Sequence, residues 1–442
     1  MRKFRETDFG QVFNLQDDRS RGRTCILLDT LFGYFCQYLA AGTLYTAFLT
    51  VNDFSLKDVS ILGFLPTLIS SVVVLVAPAI WERIPRRRWL LALGKLLYYI
   101  FFVLAITVIP FWVKGQSQRV FWFGAVTLLA NACNAFAGNA YSAWHINFLP
   151  EEIRAKYFTY MTAVVNIVGG ILLITSGLIA DAIKGTPQEQ TVLVILRMVG
   201  FFFGLLDVLM LVLPKEYPYP RSGAKPNLIN VIRLPLKCKP FMMVMLFLSL
   251  WAYATALTST GLTYYLMNSV GVKVTLINSL SFSYGFILIL LSPLWRKALN
   301  KVGWIGFFAL GVFIYAPSFF IIALLTPKNW MWLYPVMMIV QYVGNVPITL
   351  ASSQLTYINM PSRDRTYYFA FSSLRVNLFN FLGQITATFV ISALGDGCFS
   401  LFGWELSAIP LLGVATCVLL LIFAVLFFRF REKLTAKPGD LE

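Results

Sequence analysis

One carboxylate stands among four guanidinium groups in the run Pro78-Ala-Ile-Trp-Glu82-Arg83-Ile-Pro85-Arg86-Arg87-Arg88. A carboxylate between arginines at helix ends forms charge-assisted hydrogen bonds that can hold one of two conformations closed. Arg154 and Arg365, each at the start of a later apolar stretch, join Glu82, Arg83, Arg86 and Arg87 in a candidate latch. The alternative is that these arginines only set topology and anchor helix ends at lipid headgroups, which leaves Glu82 without a purpose. Within the apolar stretches themselves, charge is scarce: Lys95, Arg197 and Arg375 against Asp29, Asp181 and Asp207. Such groups are expensive in a membrane and mark function or a buried pair. Asp29 has two readings, a carrier of a coupling proton or a structural partner of a cation such as Lys95. Arg375 likewise either binds an anionic or hydroxyl-rich solute or is a structural ion held by carbonyls and amides.

Neutral polar residues recur at helical spacing. Asn131, Asn134, Gly138, Ser142 and His145 form one stripe, and Gln341, Asn345, Ser352 and Asn359 form another. Tyr34, Gln37 and Tyr38 make a third group, and Tyr253, Thr260 and Tyr264 a fourth. These stripes either face a polar cavity or glue helices together by hydrogen bonds. Asn377, Asn380, Gln384 and Thr388 also share a face, which at 100° per residue lies nearly opposite Arg375, so both cannot meet one cavity. Catalytic equipment is thin. No HExxH or GxSxG occurs, and the Ala393-Leu-Gly-Asp396 segment only grazes an aspartyl pattern at a helix end. The one histidine, His145, has no metal-type neighbour and reads as a capping or packing group. The six cysteines lack metal or disulfide spacing. No cofactor and no metal are expected.

The elements that position these residues are membrane helices. Of 442 residues, 58% are hydrophobic and 13% charged, and the mean hydropathy is +0.72; a soluble domain carries about 25% charged residues. Apolar stretches long enough to cross a bilayer fall at 24–50, 58–80, 89–113, 120–147, 156–183 and 191–213. A second set falls at 240–268, 274–296, 303–326, 330–358, 365–394 and 404–430. Between the sets, 214–239 is rich in proline and basic residues and reads as a cytoplasmic linker. The flanks, 1–23 and 431–442, are polar tails, and the first is no signal peptide. Loops on the side of both termini hold 27 of the 36 Lys and Arg, and those on the other side hold 6. The positive-inside rule therefore places both termini in the cytoplasm. The formal net charge of +16 sits in these short loops, which argues against a nucleic-acid partner.

The two sets repeat one another. Pro150-Glu-Glu-Ile-Arg154-Ala-Lys-Tyr157-Phe158 reappears 211 residues later as Pro361-Ser-Arg-Asp-Arg365-Thr-Tyr-Tyr368-Phe369. The same offset carries Asn134 onto Asn345, and Gly42-Thr-Leu-Tyr45 has a counterpart in Gly261-Leu-Thr-Tyr264. The Glu82 run resembles the cytoplasmic loop signature of the major facilitator superfamily, Gly-x-x-x-Asp-Arg-x-Gly-Arg-Arg/Lys, with both glycines replaced by proline and the aspartate by glutamate. The second copy, Pro293-Leu-Trp-Arg296-Lys297-Ala-Leu-Asn-Lys301, is weaker and has no acid. The resemblance implies an all-α integral membrane fold of twelve transmembrane helices in two pseudo-symmetric six-helix bundles, working by a rocker switch. It also implies that helices 1, 4, 7 and 10 line the solute pathway.

On that basis Tyr34, Gln37, Asn134, Tyr253, Tyr264, Gln341, Asn345 and Arg375 are the cavity candidates, and Asp29 is the coupling candidate. Amides, hydroxyls and aromatic faces with few charges near the membrane centre suit a small neutral solute, a sugar or polyol first. Secondary active and facilitative transport remain open, as does a co-transported proton or sodium ion. Efflux of amphipathic drugs and a non-transporting sensor are the alternatives. The expected setting is a monomer in a lipid bilayer, in the cytoplasmic membrane of a bacterium, since no N-x-S/T sequon or organellar address occurs.

Overall fold

The computed structural model describes residues 8–13, 15–81, 83–217, 228–357, 359–361, 365–395, 397–401 and 403–434. Almost all of them are helical. The chain divides into two compact units, one of 1–54 and 72–226, the other of 55–71 and 227–442. Among the described residues, eleven helical stretches are long and apolar enough to cross a membrane. Their outer faces carry large apolar side chains in the open, such as Trp112, Phe121, Ile289 and Phe389. In water that surface would be untenable; in hydrocarbon it is the expected exterior.

The first unit contains α1 (Asp8–Val12), α2 (Asp18–Ala40), α3 (Gly42–Val51), α5 (Arg88–Tyr99), α6 (Ile106–Trp112), α7 (Gln116–Ile146), α8 (Glu151–Ile183) and α9 (Glu189–Val212). Helix α4 (Leu56–Trp81) is shared, its first part grouping with the second unit. Local chemistry sets several starts. The Asp17 carboxylate caps α2 by accepting from Ser20 N at 3.1 Å, and Glu151 and Glu152 lie at the positive end of α8.

The expected span 24–50 is interrupted. Ala41 is extended (φ −123°, ψ −168°) and Gly42 lies at φ +59°, where glycine has no Cβ to strain. A six-residue π-helical stretch, Ile100–Ala105, joins α5 to α6. Arg197 on α9 binds both irregularities. Its Nη1 donates to Ala40 O at 2.6 Å, Nη2 to Phe102 O at 2.7 Å, and Nε to Thr107 Oγ1 at 2.7 Å.

The second unit contains α10 (Leu228–Lys237), α11 (Lys239–Ala256), α12 (Leu262–Tyr264), α13 (Val274–Tyr315), α14 (Pro317–Leu324), α15 (Trp330–Tyr357), α16 (Arg365–Leu394), α17 (Ala408–Arg429) and α18 (Arg431–Leu434). A small antiparallel hairpin, β1 (Phe399–Leu401) with β2 (Trp404–Leu406), precedes α17. One sequence expectation is corrected here. The span 240–268 stops as regular helix at Ala256, turns through 257–261, and resumes as α12 and a π-helical stretch, Tyr265–Val270. The stretches 274–296 and 303–326 are two helices that run together at a kink, where Gly303 leaves helical geometry at φ 67°, ψ 173°.

Helices α13 and α15 meet at two facing glycines. A Cβ at Gly344 would lie 2.5 Å from Tyr315 N and 2.8 Å from Gly311 O, so only glycine lets these backbones approach so closely. Within the same unit, Gln384 accepts from Thr67 Oγ1 at 2.5 Å and donates to Ser259 Oγ at 3.2 Å, and Thr388 donates to Ser60 O at 3.3 Å. These three bonds account for Gln384 and Thr388, two of the four polar residues on the face of α16 that lies away from Arg375.

Candidate functional site

A cavity of about 340 Å³ opens within the first unit. Asp29, Tyr34 and Gln37 reach it from α2, Lys95 from α5, and Asn134 and Tyr141 from α7. Four sequence candidates, Asp29, Tyr34, Gln37 and Asn134, thus share one wall system. The 3.6-residue period puts them there: 30, 33, 34 and 37 on α2 are successive turns of one face.

The charged centre of this cavity is denser than the sequence reading anticipated. Lys95 Nζ lies 2.7 Å from Asp29 Oδ1 and 2.9 Å from Asp207 Oδ1. Tyr141 Oη donates to Asp29 Oδ2 at 2.5 Å, and Tyr99 Oη donates to Asp207 Oδ2. The ammonium also lies 4.9 Å from the centroid of the Tyr141 ring. Burying such a group is tolerable only because every charge has a partner and the remaining lone pairs accept hydrogen bonds. Helices α2, α5, α7 and α9 are therefore tied at one point. Asp207 was visible as an acid inside a span but not as Lys95's second partner. Tyr99 and Tyr141 gave no signal, because 20 tyrosines are scattered along the chain.

The candidates of the second unit are more dispersed. Tyr253 Oη donates to Thr386 Oγ1 at 3.3 Å, and Gln341 Nε2 donates to Tyr315 Oη at 3.4 Å. Both bonds are of the interhelical kind that glue would supply. Asn345 and Tyr264 are half-buried. Arg375 is buried, and its Nε and Nη1 have no hydrogen-bond partner among the described residues. The expectation of a structural ion held by carbonyls and amides is not met at those two atoms.

Of the latch candidates, Glu82 and the Arg365 side chain lie outside the described residues. Arg83 and Arg86 are exposed. Arg87 is buried and donates to Trp81 O at 3.0 Å and Ile84 O at 3.3 Å, closing its own turn. Arg154 is half-buried and donates to Leu149 O at 3.4 Å. An acid from beyond α9 also reaches this loop: Glu216 Oε1 accepts from Arg88 N at 2.9 Å, while Arg88 Nη1 donates to Pro214 O at 2.7 Å. Beside it, Lys215 pairs with Asp18 at 2.9 Å, and that carboxylate raises the Lys215 ammonium above its usual value. His145 is buried with Nε2 3.0 Å from Tyr157 Oη, a packing contact between α7 and α8.

Comparison with known proteins follows the same lines. The family model described as Major Facilitator Superfamily matches residues 30–384. No curated protein is matched by sequence. Among solved structures, a bacterial homolog of the human lysosomal transporter Spinster superposes with a TM-score of 0.66 at 17% identity, covering 96% of this chain and 100% of that one. The nucleoside transporter NupG gives 0.65 at 12% identity, with 92% and 99% covered. A bacterial metal transporter gives 0.66 at 11%, with 94% and 99% covered. At these identities the likeness is one of fold.

Proposed function

The chain belongs to the Major Facilitator Superfamily, and we propose that it moves a small polar solute across the membrane by alternating access, with sugars and polyols the first class to test. It is a multi-pass membrane transporter by family and fold. The finer reading has twelve spans in two six-helix bundles, both termini cytoplasmic, in a monomer of the bacterial cytoplasmic membrane. One observation supports the solute reading: the cavity in the first unit is lined by hydroxyl and amide groups of Tyr34 and Gln37 on α2 and Asn134 on α7. Such groups suit a hydroxylated ligand better than a lipid-like one, because leaving them unpaired against an apolar solute is costly. Asn345 and Arg375 are the proposed contributions of the second unit, and Asp29 is the proposed coupling group for a proton or sodium ion.

The test is a thermal-shift screen of the detergent-purified protein against sugars, polyols, organic acids, nucleosides and cationic drugs. A ligand that binds the folded state raises its apparent stability. A dose-dependent shift with a hydroxylated solute, weakened by Asn134→Ala at unchanged expression, is the expected result. Shifts confined to amphipathic cations would replace this reading with drug efflux.

A further inference from the structure

Lys95 is the most accessible member of the charged cluster. Its side chain is 21% exposed, whereas those of Asp29 and Asp207 are 1% and 0% exposed. Asp29 lines the cavity beside Lys95 with almost none of its surface open, and Asp207 is not part of the lining. Among the described residues, Lys95 is also the only base in ion-pair contact with either acid. Other titratable groups face the pair from each neighbouring helix: Cys36 on α2, Tyr99 on α5, Tyr141 and His145 on α7, and Tyr157 on α8. Of these only His145 can carry positive charge, and its Nε2 is engaged with Tyr157 Oη.

Two carboxylates therefore depend on one ammonium. If a ligand draws that ammonium toward the cavity, the acids lose their counter-ion in a medium where uncompensated negative charge is very costly. Their remaining recourse is to bind a proton, since like charges so close cannot both persist. We propose that Lys95 is an anion-recognition residue, that the solute carries a carboxylate, and that the Asp29–Asp207 pair takes up one proton as the carboxylate engages Lys95.

The charges balance. The anion brings one negative charge and the proton one positive charge, so the net charge of the site is the same before and after. The bond formed is a carboxyl O–H and the bond broken is an O–H of hydronium or of a buffer acid, so the proton is drawn from the bulk solution. Tyr34, Gln37 and Asn134 line the same cavity, which makes a hydroxylated acid, such as an aldonate or uronate, the fitting class. This inference rests on the reading of the cavity as the solute site.

Matched pairs of acid and neutral analogue test it: gluconate with sorbitol, glucuronate with glucose, and glycerate with glycerol. Binding is read by thermal shift, and proton uptake by an indicator dye in weak buffer. The acid of at least one pair should bind in preference to its neutral partner, with uptake of about one proton per acid bound. Lys95→Gln should weaken acid binding about tenfold or more, the loss of one charge-assisted hydrogen bond. The double variant Asp29→Asn, Asp207→Asn should bind the acid without taking up a proton. Should the variants fail to fold, the discrimination and proton uptake of the unmodified protein still decide. Neutral analogues that bind as well as the acids overturn the anion assignment and leave the polar-solute reading standing. Acid binding without proton uptake overturns the proton step, and silence toward every pair counts against both readings.

Discussion

Replacing Gly344 by alanine tests whether α13 and α15 are held as closely as their geometry says. The added Cβ would lie 2.5 Å from Tyr315 N and 2.8 Å from both Tyr315 Cα and Gly311 O. Ordinary contact begins near 3.4 Å, so the helices must separate by roughly 1 Å or tilt. All three obstacles are backbone atoms, which have no rotamer through which to yield. Overpacking of this kind costs about 1–3 kcal/mol, and the upper end applies here. Alanine's better helix propensity returns about 1 kcal/mol, leaving a net loss of about 2 kcal/mol. Gly138 is the internal control, because a Cβ there meets nothing within 4 Å. Gly138→Ala should be neutral or stabilising by up to about 1 kcal/mol. Thermal melts followed by tryptophan fluorescence, in one detergent at one scan rate, keep the comparison fair where unfolding is irreversible. Gly344→Ala should melt about 2 °C below the unmodified protein, and Gly138→Ala no lower than it. Equal melting of the two variants would refute the close-approach argument.

Two other substitutions probe function directly. Arg375→Met keeps length and removes a buried cation with two nitrogens that find no partner among the described residues, so it should stabilise the fold by about 1–2 kcal/mol, read as a higher melting temperature, while reducing solute binding; a variant that melts lower would return Arg375 to a structural role. Glu82→Gln should change the labelling rate of single cysteines introduced at the cytoplasmic ends of the cavity helices, because a latch held by that carboxylate biases one state. Unchanged labelling would reduce Arg83, Arg86 and Arg87 to topology and anchoring.

Much of this was legible from the chain, and the parts that were not share a cause. Hydropathy located the spans because hydrocarbon admits only helices whose backbone is internally bonded. It could not locate the interruptions at Ala41–Gly42 and 257–261, since a break in an apolar helix changes backbone angles without changing composition. The one-turn separation of α2 residues placed Tyr34 and Gln37 together, yet nothing in one-dimensional order says that Asp207 lies against Lys95 from a helix more than a hundred residues away. Tyr253 and Gln341 show the limit of stripes. A polar side chain inside a membrane must find a partner, and periodicity reveals the face it occupies but not whether that partner is a solute or a neighbouring helix.

The internal repeat explains a residue that otherwise looks misplaced. Arg197 is a fully buried arginine with no carboxylate in ion-pair contact among the described residues, which in a membrane would ordinarily be prohibitive. Its requirement comes from the break in the first span. Where α2 stops at Ala40, carbonyls lose their helical donors, and Arg197 Nη1 supplies one at 2.6 Å. In the second unit the corresponding span also breaks, after Ala256, and there Thr416 Oγ1 on α17 donates to Ala254 O at 3.2 Å. Helices α9 and α17 are the last spans of their respective halves, so the donor comes from the same place in each repeat while its chemistry differs. The glycines that follow the breaks diverge in the same way. Gly42 takes a positive φ in open space, whereas at Gly261, with φ −120°, a Cβ would only press on the methyl ends of Ile409 and Leu56 at 2.8 and 2.9 Å, which side-chain movement can relieve. A feature kept in both halves by two unrelated physical routes is better explained by a need for the break itself than by shared ancestry of the residues. The break falls in the helix bearing Tyr34 and Gln37 in one unit and in the helix bearing Tyr253 in the other, the helices that carry proposed solute-facing residues.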